Sequence, residues 1–368
     1  MEKDIKEKVQ KNSPGVLGGL ILLAVGVAIL WNNEGKVVKT QSAINEARKN
    51  YVDVKSDKIN SKNDGKLVAT KGKVKVDDDV VLKDNKFGIS INAIKMKRNV
   101  EIYQWKEECE TDDNDKEKCT YEKVWEEELI DSKEFQESGH NNTKKYDIDS
   151  EEFIADEVKL GAYVLPEELV SKLKYNKKKE SEELSSEYNN SNENIKAVDR
   201  YLTTVKDDTP EIGDIRISYL YTTPTTVSVM AVQTDNTFEA YTSKKGKDIY
   251  TLVNGNKTGI QMLENMTSAN KRSKWFFRIA GIFLTISAFS SMFNFLNTLA
   301  GKVPVLGKIV NGATSVVSTI LGLSVSLVVI AVAWFRFRPA LSITLIAISV
   351  ALAIFLRFFK SDSKVKEK

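Results

Sequence analysis

Two cysteines, one histidine and a handful of charged residues on aromatic-rich stretches are the groups whose types could do chemistry in this chain. Cys109 and Cys119 flank the acidic run TDDNDKEK, and the aromatic segment ending at Trp105 resumes as Tyr121 to Trp125. If these segments pair as a hairpin, the cysteines lie opposite each other at a separation a disulfide spans. Free thiols are the other reading, and only an oxidising compartment favours the bond. The Asp/Asn run lacks the glycine and terminal glutamate of an EF-hand loop, so a solvated hairpin tip is expected. His140 has no general-base partner at a recognisable spacing, which leaves a surface or hydrogen-bonded structural place. Arg98, Glu101, Asp214 and Arg216 could form a polar site, but salt-bridged strand faces are the plainer expectation. The chain holds no phosphate-binding glycine loop, nucleophile elbow, HExxH or paired-cysteine motif. One histidine and two cysteines are also too few for a zinc site. The expectation is therefore no catalysis, no cofactor and no metal.

The elements that must hold these residues form a charged middle between two apolar ends. A mean hydropathy of −0.30 averages the two and conceals both. The net charge of only +3, from 54 basic and 51 acidic side chains, gives no single-signed field and argues against nucleic acid as a partner. Val16 to Trp31 carries no charge and, with Pro14 and Gly15, makes roughly 27 Å of helix, enough to cross a bilayer. A cleaved signal peptide is the rival, because lysines precede the run and Gly26-Val27-Ala28 imitates a cleavage site. The apolar run continues through Ile29, Leu30 and Trp31, which favours a permanent anchor.

Three more apolar runs follow at 275–299, 309–335 and 339–356. Arg278, close to the start of its run, is expected to snorkel to the interface. The predicted class is an α+β membrane protein with four transmembrane helices, one N-terminal and three C-terminal. A large β-rich extracytoplasmic or lumenal domain is inserted between the first two. The boundaries read as a cytoplasmic tail 1–15, helix 16–31, domain 32–274, helices 275–299, 309–335 and 339–356, and a basic cytoplasmic tail 357–368. A modest excess of Lys and Arg on the tail side places both termini in the cytoplasm. The bilayer is the first partner. Gly312, Ser315, Thr319, Gly322 and Ser326 recur at spacings of three and four, giving a face that admits another helix closely, from this chain or from a second copy in a homo-oligomer.

Within the middle, Glu34 to Tyr51 has helical spacing of Val37, Ile44, Ala47 and Tyr51. Lys66–Val76 and Phe87–Trp105 read as strands, and Pro166 opens the helical stretch PEELVSKLKY. Asn176–Asn194 reads as a loop or frayed helix. Short strands are expected at Ile212–Tyr221, Thr226–Gln233, Thr237–Tyr241 and Asp248–Val253. Ile260, Leu263 and Met266 then restart a helical period leading into the second span.

Several stretches are more specific. Asn33-Glu34-Gly35-Lys36 after the first span, with its echo Asn63-Asp64-Gly65-Lys66, is joined by AIKMKRNVEIYQWKE from Ala93 to Glu107. That run contains Arg98, Glu101, Tyr103, Gln104 and Trp105. Trp125, LIDSKEF with Gly139-His140, and PEIGDIRISY with Gly213, Asp214 and Arg216 follow, and Arg338-Pro339 precedes the last span. In this order they resemble the transmembrane protein 43 family. The resemblance implies a four-span protein with a lumenal domain that self-associates and organises membrane or nuclear-envelope complexes. A eukaryotic source implies the endoplasmic reticulum and inner nuclear membrane, with nuclear-envelope partners; a bacterial source implies the plasma membrane. The alternative class is a lumenal enzyme or lipid-binding module tethered to the membrane. A channel is disfavoured by the lack of ionisable groups deep in the spans.

Overall fold

In hydrocarbon a backbone must satisfy its own hydrogen bonds, so apolar runs of this length become helices. The computed structural model describes residues 2–111, 117–143, 148–189, 192–300, 307–344 and 347. Its helices are α1 (Glu2–Asn50), α2 (Glu167–Val170), α3 (Ser181–Glu187), α4 (Gly259–Ala300) and α5 (Gly307–Phe337). Three segments are long and apolar enough to cross a membrane: Val16–Asn50, Gly259–Phe293 and Ser315–Phe337. The expected fourth span, 339–356, and the basic tail lie almost wholly outside the described residues. Residues 339–344 are helical, with Pro339 in the first turn, where its missing N–H costs nothing.

The chain divides into two units. The first comprises Met1–Lys49, Thr242–Asp248 and Leu263–Lys368. Within it α1 runs unbroken from the apolar span through the stretch expected as an amphipathic helix. Val37, Ile44 and Ala47 are buried, as their spacing requires, while Tyr51 lies just past the helix end. Glycines set how closely the helices approach. A Cβ on Gly19 would lie 2.9 Å from the Ala288 carbonyl oxygen, and one on Gly26 would lie 3.2 Å from that of Gly281. On α5 a Cβ at Gly322 would sit 2.6 Å from the Ile286 Cα. Thr285 Oγ1 on α4 lies 2.7 Å from Ser326 Oγ and 3.2 Å from the Gly322 carbonyl oxygen.

This corrects the expected small-residue face. Its buried members are Ser318, Gly322, Ser326 and Ala333, whereas Ser315 is exposed and Thr319 only half-buried. The surroundings of Gly312 lie outside the described residues. From Ser318 to Ser326 the contact follows the i, i+4 ridge of α5, and it resumes one heptad on at Ala333. Gly322 and Ser326 are thus spent on packing within this chain.

The second unit, Asn50–Tyr241 with Ile249–Met262, carries the sheets. Its strands are β1 (Val52–Asp53), β2 (Leu67–Lys75), β3 (Leu82–Asp84), β4 (Ile89–Ile91), β5 (Lys95–Thr111), β6 (Glu117–Glu126), β7 (Glu151–Ile154), β8 (Val158–Leu160) and β9 (Tyr163–Leu165). They continue with β10 (Lys177–Lys178), β11 (Lys196–Val198), β12 (Tyr201–Thr203), β13 (Ile215–Thr222), β14 (Thr225–Thr234), β15 (Thr237–Glu239) and β18 (Thr251–Asn254), while β16 (Tyr241–Thr242) and β17 (Asp248–Ile249) fall where the chain passes from one unit to the other. One sheet runs β15-β14-β2-β8-β9, with β1 added to β2 and β18 to β14; the other runs β11-β12-β13-β5-β6, with β10 on β13 and β7 on β5. Val68, Leu160 and Val229 from the first sheet and Met96, Val100 and Ile217 from the second belong to one apolar core.

Three expectations shift. The predicted strand Phe87–Trp105 is broken at Asn92, whose side-chain amide donates to the Asp78 and Val80 carbonyls, 2.9 Å each, so that β4 pairs with β3 and a new strand starts at Lys95. The helix expected from Pro166 lasts one turn, although Leu169, Val170 and Leu173 are all buried. The tract Asn176–Asn194 contains β10 and α3, pinned to the core by Leu184 and Tyr188, its two apolar residues.

The α4–α5 contact makes a direct prediction. Gly322→Leu forces a side chain against backbone and should destabilise the helical unit by about 1–3 kcal/mol, whereas Ser315→Leu should leave it unchanged. Unfolding of the detergent-solubilised protein, titrated with sodium dodecyl sulfate and followed by circular dichroism, separates the two.

Candidate functional site

The charged residues with a chance of doing chemistry fall into one cluster among the helices and several on the sheets. Among the helices the focus is Glu34, three residues past Trp31 and fully buried. Its Oε1 accepts from Arg278 Nε at 2.6 Å, and its Oε2 accepts from the Trp334 indole N–H at 2.9 Å. One carboxylate therefore joins α1, α4 and α5. Its neighbours reinforce the junction: Asn33 Nδ2 donates to the Lys274 carbonyl at 3.1 Å, and Gly35 leaves room for the Phe337 ring, which a Cβ would meet at 2.8 Å. Trp31 meets the same ring edge-on at 5.6 Å. Arg278 is held between the Trp275 and Trp334 rings, at 5.3 and 5.7 Å from their centroids. It does not snorkel as expected, because a buried carboxylate is within reach and satisfies the charge.

On the sheets, Arg98 bonds to Asp84 and to Glu151 at 2.6 Å each, and its Nε donates to the Asp149 carbonyl at 3.0 Å. Tyr219 donates its hydroxyl to the same Asp84 oxygen at 2.7 Å. Burial, the Asp84 charge and that bond together push the Tyr219 phenol far above its ordinary range. Burial works against the Arg98 charge too, but the bond and charge of Asp84 outweigh it and raise its pKa. Lys95, 2 % exposed, donates to Glu152 at 3.0 Å and to the Ser171 carbonyl at 2.9 Å; Tyr175 also donates to that carboxylate. Burial pushes the Glu152 carboxyl up, yet the Tyr175 and Lys95 bonds bring it below its ordinary value.

Arg216 and Glu101 are register partners on β13 and β5 and form a two-pronged pair at 2.9 Å, with the guanidinium over Trp125 at 4.7 Å. Asp214 instead braces a turn, accepting from Thr204 Oγ1 at 2.7 Å and from the Glu211 N–H at 2.8 Å. The structure thus separates the four residues that could have converged: Arg98 lies in one cluster, Arg216 with Glu101 in another, and Asp214 in a loop.

The remaining family-like residues are positioning groups. Gln104 is buried and clasps the 128–130 segment, donating to the Glu128 carbonyl at 2.6 Å and accepting from the Ile130 N–H at 2.9 Å. Asn142 does the same for Trp105, bonding to both its N–H and its carbonyl. Tyr103 pairs with Trp125 at 5.1 Å, and its carbonyl accepts from Gly213, whose φ of 105° suits only glycine. His140 stacks on Tyr121 at 3.9 Å and meets Trp105 edge-on. Cys109 and Cys119 are register partners on β5 and β6 and form a disulfide with a Cα separation of 4.0 Å. The acidic tip between them, 112–116, lies outside the described residues. A cavity of about 590 Å³ is lined by 129–133 and 141–143 and by none of Arg98, Asp214 or Arg216. Sequence reasoning missed Asp84 and Glu151 as the partners of Arg98, because carboxylates in Lys/Asp-rich turns look like surface residues.

Three apolar helices long enough to span, and a β-rich domain inserted in sequence between the first and second, define an integral membrane protein with a large polar domain. The model of the family Transmembrane protein 43 matches residues 102–339, well over half of the chain. Proteins named Transmembrane protein 43 from Homo sapiens and Rattus norvegicus are 26% and 25% identical over 354 residues, 90% of this chain and 87% of each relative. The Transmembrane protein 43 homolog of Drosophila melanogaster is 25% identical over 362 residues, 93% of this chain and 94% of that protein. No solved structure matches. The chain belongs to the transmembrane protein 43 family.

The buried and half-exposed ion pairs should differ in weight. Asp84→Asn removes the buried one of the two carboxylates on Arg98, leaving only exposed Glu151, and should cost about 3 kcal/mol, while Glu101→Gln, at a pair open to solvent, should cost about 1 kcal/mol or less; urea titration of the full-length protein in detergent reads both. For Glu152 the folded pKa lies below the ordinary 4.5, so its contribution is complete above that pH and is lost as the pH falls through the folded value. Acid unfolding followed from pH 6 downward should therefore be shallower in Glu152→Gln than in the parent.

Proposed function

We propose that this protein is a non-enzymatic, oligomerising membrane scaffold that organises membrane or nuclear-envelope protein complexes. Residues 339–356 complete a fourth span, the β-rich domain lies outside the cytoplasm, and both termini face it. In a eukaryotic source the compartment is the endoplasmic reticulum with the inner nuclear membrane. The observation that carries the scaffold reading is the closure of the domain's charge clusters. Arg98, Glu101, Asp214 and Arg216 each spend their polar atoms on fixed partners from their own unit, and so serve the fold rather than a substrate. The Cys109–Cys119 disulfide supports an extracytoplasmic domain, since such bonds persist in oxidising compartments. Helix directions agree. Because α1, α4 and α5 meet at Glu34, Arg278 and Trp334, the end of α5 lies on the same side as the end of α1, and one further span returns the chain to the side of its N-terminus. The exposed apolar residues Ile320, Leu323, Leu327 and Val328 on α5 are the surface for lipid or a second copy.

Two measurements test this. The sequons at Asn141, Asn189, Asn256 and Asn265 are exposed, so expression in eukaryotic cells should yield protein whose gel mobility rises on endoglycosidase treatment and is unaffected once all four asparagines are Gln. A domain accessible to a membrane-impermeant thiol or amine reagent only from the cytoplasm would sink the topology. Sedimentation velocity in detergent should show a species larger than one chain of 41.3 kDa; a strictly monomeric protein across concentrations would remove the self-association.

A further inference from the structure

We propose that the helical unit carries a binding site for the phosphate of an anionic phospholipid headgroup, at the membrane surface beside the Glu34 junction. A cavity of about 410 Å³ opens there, lined by Val37, Ser42 and Asn45 of α1, Lys271 and Lys274 of α4, and Arg338. Three cations line it, together with amide and hydroxyl groups from Gln41, Ser42, Asn45 and Asn270, and no carboxylate is among the lining residues. Among the described residues none of Lys271, Lys274 or Arg338 has a carboxylate within ion-pair distance, unlike Arg278 one turn away, which Glu34 neutralises. Three like charges converging without a counter-ion repel one another, and the fold tolerates that most readily where an anion is supplied from outside.

The position identifies the anion. Lys274 immediately precedes Trp275, where the apolar part of α4 begins, and Arg338 follows Phe337, where α5 ends. Both are therefore at headgroup level, as the interfacial residues Trp31, Trp275 and Trp334 also require. The Arg338 guanidinium leans on the Trp334 ring, 6.0 Å from its centroid, and Asn270 is fixed by its bond to the Val37 carbonyl at 3.1 Å, so two walls are set before any ligand arrives. Trp275 and Phe276, both exposed, carry α4 from Lys274 into its apolar part, which suits a headgroup whose acyl chains continue into the bilayer. A soluble phosphate would gain the charge contacts but not this continuity.

The test uses the full-length protein in detergent, examined by native mass spectrometry with added phosphatidic acid, with phosphatidylcholine, and with inorganic phosphate. Phosphatidic acid should be retained and phosphatidylcholine largely lost. Lys271→Gln, Lys274→Gln and Arg338→Gln together should weaken retention of phosphatidic acid on the order of a hundredfold, at about one Boltzmann-weighted contact per cation. Ser42→Leu keeps every charge but fills the cavity, and should weaken it as well. Equal retention of the two lipids, or unchanged phosphatidic acid binding in both variants, overturns the proposal. So does protection against thermal unfolding by inorganic phosphate with no retention of the lipid, which would mark a soluble-anion site. Each variant's helical circular dichroism is compared with the parent's, and the Ser42 variant decides if the triple variant fails to fold. The result is independent of whether the protein acts as a scaffold.

Discussion

The helical unit depends on one carboxylate. Glu34 is fully buried at the level where the apolar stretches of three helices end or begin, and leaving it without partners there would be prohibitive. Arg278 and the Trp334 indole satisfy it from two different helices. Once that bond set exists, the rotation of each helix is specified. α1 must present Glu34, α4 must present Arg278, and α5 must present Trp334. Lipid-facing apolar surfaces give no such instruction, because one Leu against a lipid tail is worth about as much as another. Glycines then let the chosen faces close, as at Gly26 against α4 and Gly322 against Ile286. The ion pair selects the arrangement and the small residues make it tight.

The β-rich unit uses the same device on a different scaffold. Its two sheets contribute to one apolar core, and its few buried charges are gathered into closed sets around Asp84, Glu152 and Glu187. Buried pairs of this kind add little net stability over an apolar replacement, yet they forbid alternative registers because any slip would strand a charge. The register of β5 against β7 is held in this way by buried Arg98 opposite Glu151, and that against β6 by the disulfide.

The sequence legibly marked the three spans of α1, α4 and α5, the strands with strong alternation and the residues of the family-like stretches. It marked Asn33-Glu34-Gly35 without saying that they meet Trp334 and Phe337 at the end of α5, since 300 positions separate Glu34 from Trp334. It also misplaced Arg278. A lone arginine near a span end is rightly expected to snorkel when no acid is near, and nothing local indicates that the acid lies 244 residues away. The small-residue face of α5 was visible, but its phase was off by one position at Ser318. Glycine and serine recur often enough in this helix to trace more than one stripe, and only the neighbour decides which is used.

Local rules therefore determined what could be read locally. Twenty uncharged residues become a spanning helix wherever they occur, and alternating Val, Ile and aromatic residues become strand because backbone geometry imposes the period. Whether two cysteines at the ends of such strands meet follows once the strands pair in register. Which charge finds which partner, which glycine is covered, and which cations are left to face the membrane surface without a counter-ion were decided only by the tertiary structure. Coulombic and close-packing energies depend on distances of a few ångströms between residues that the chain order keeps far apart.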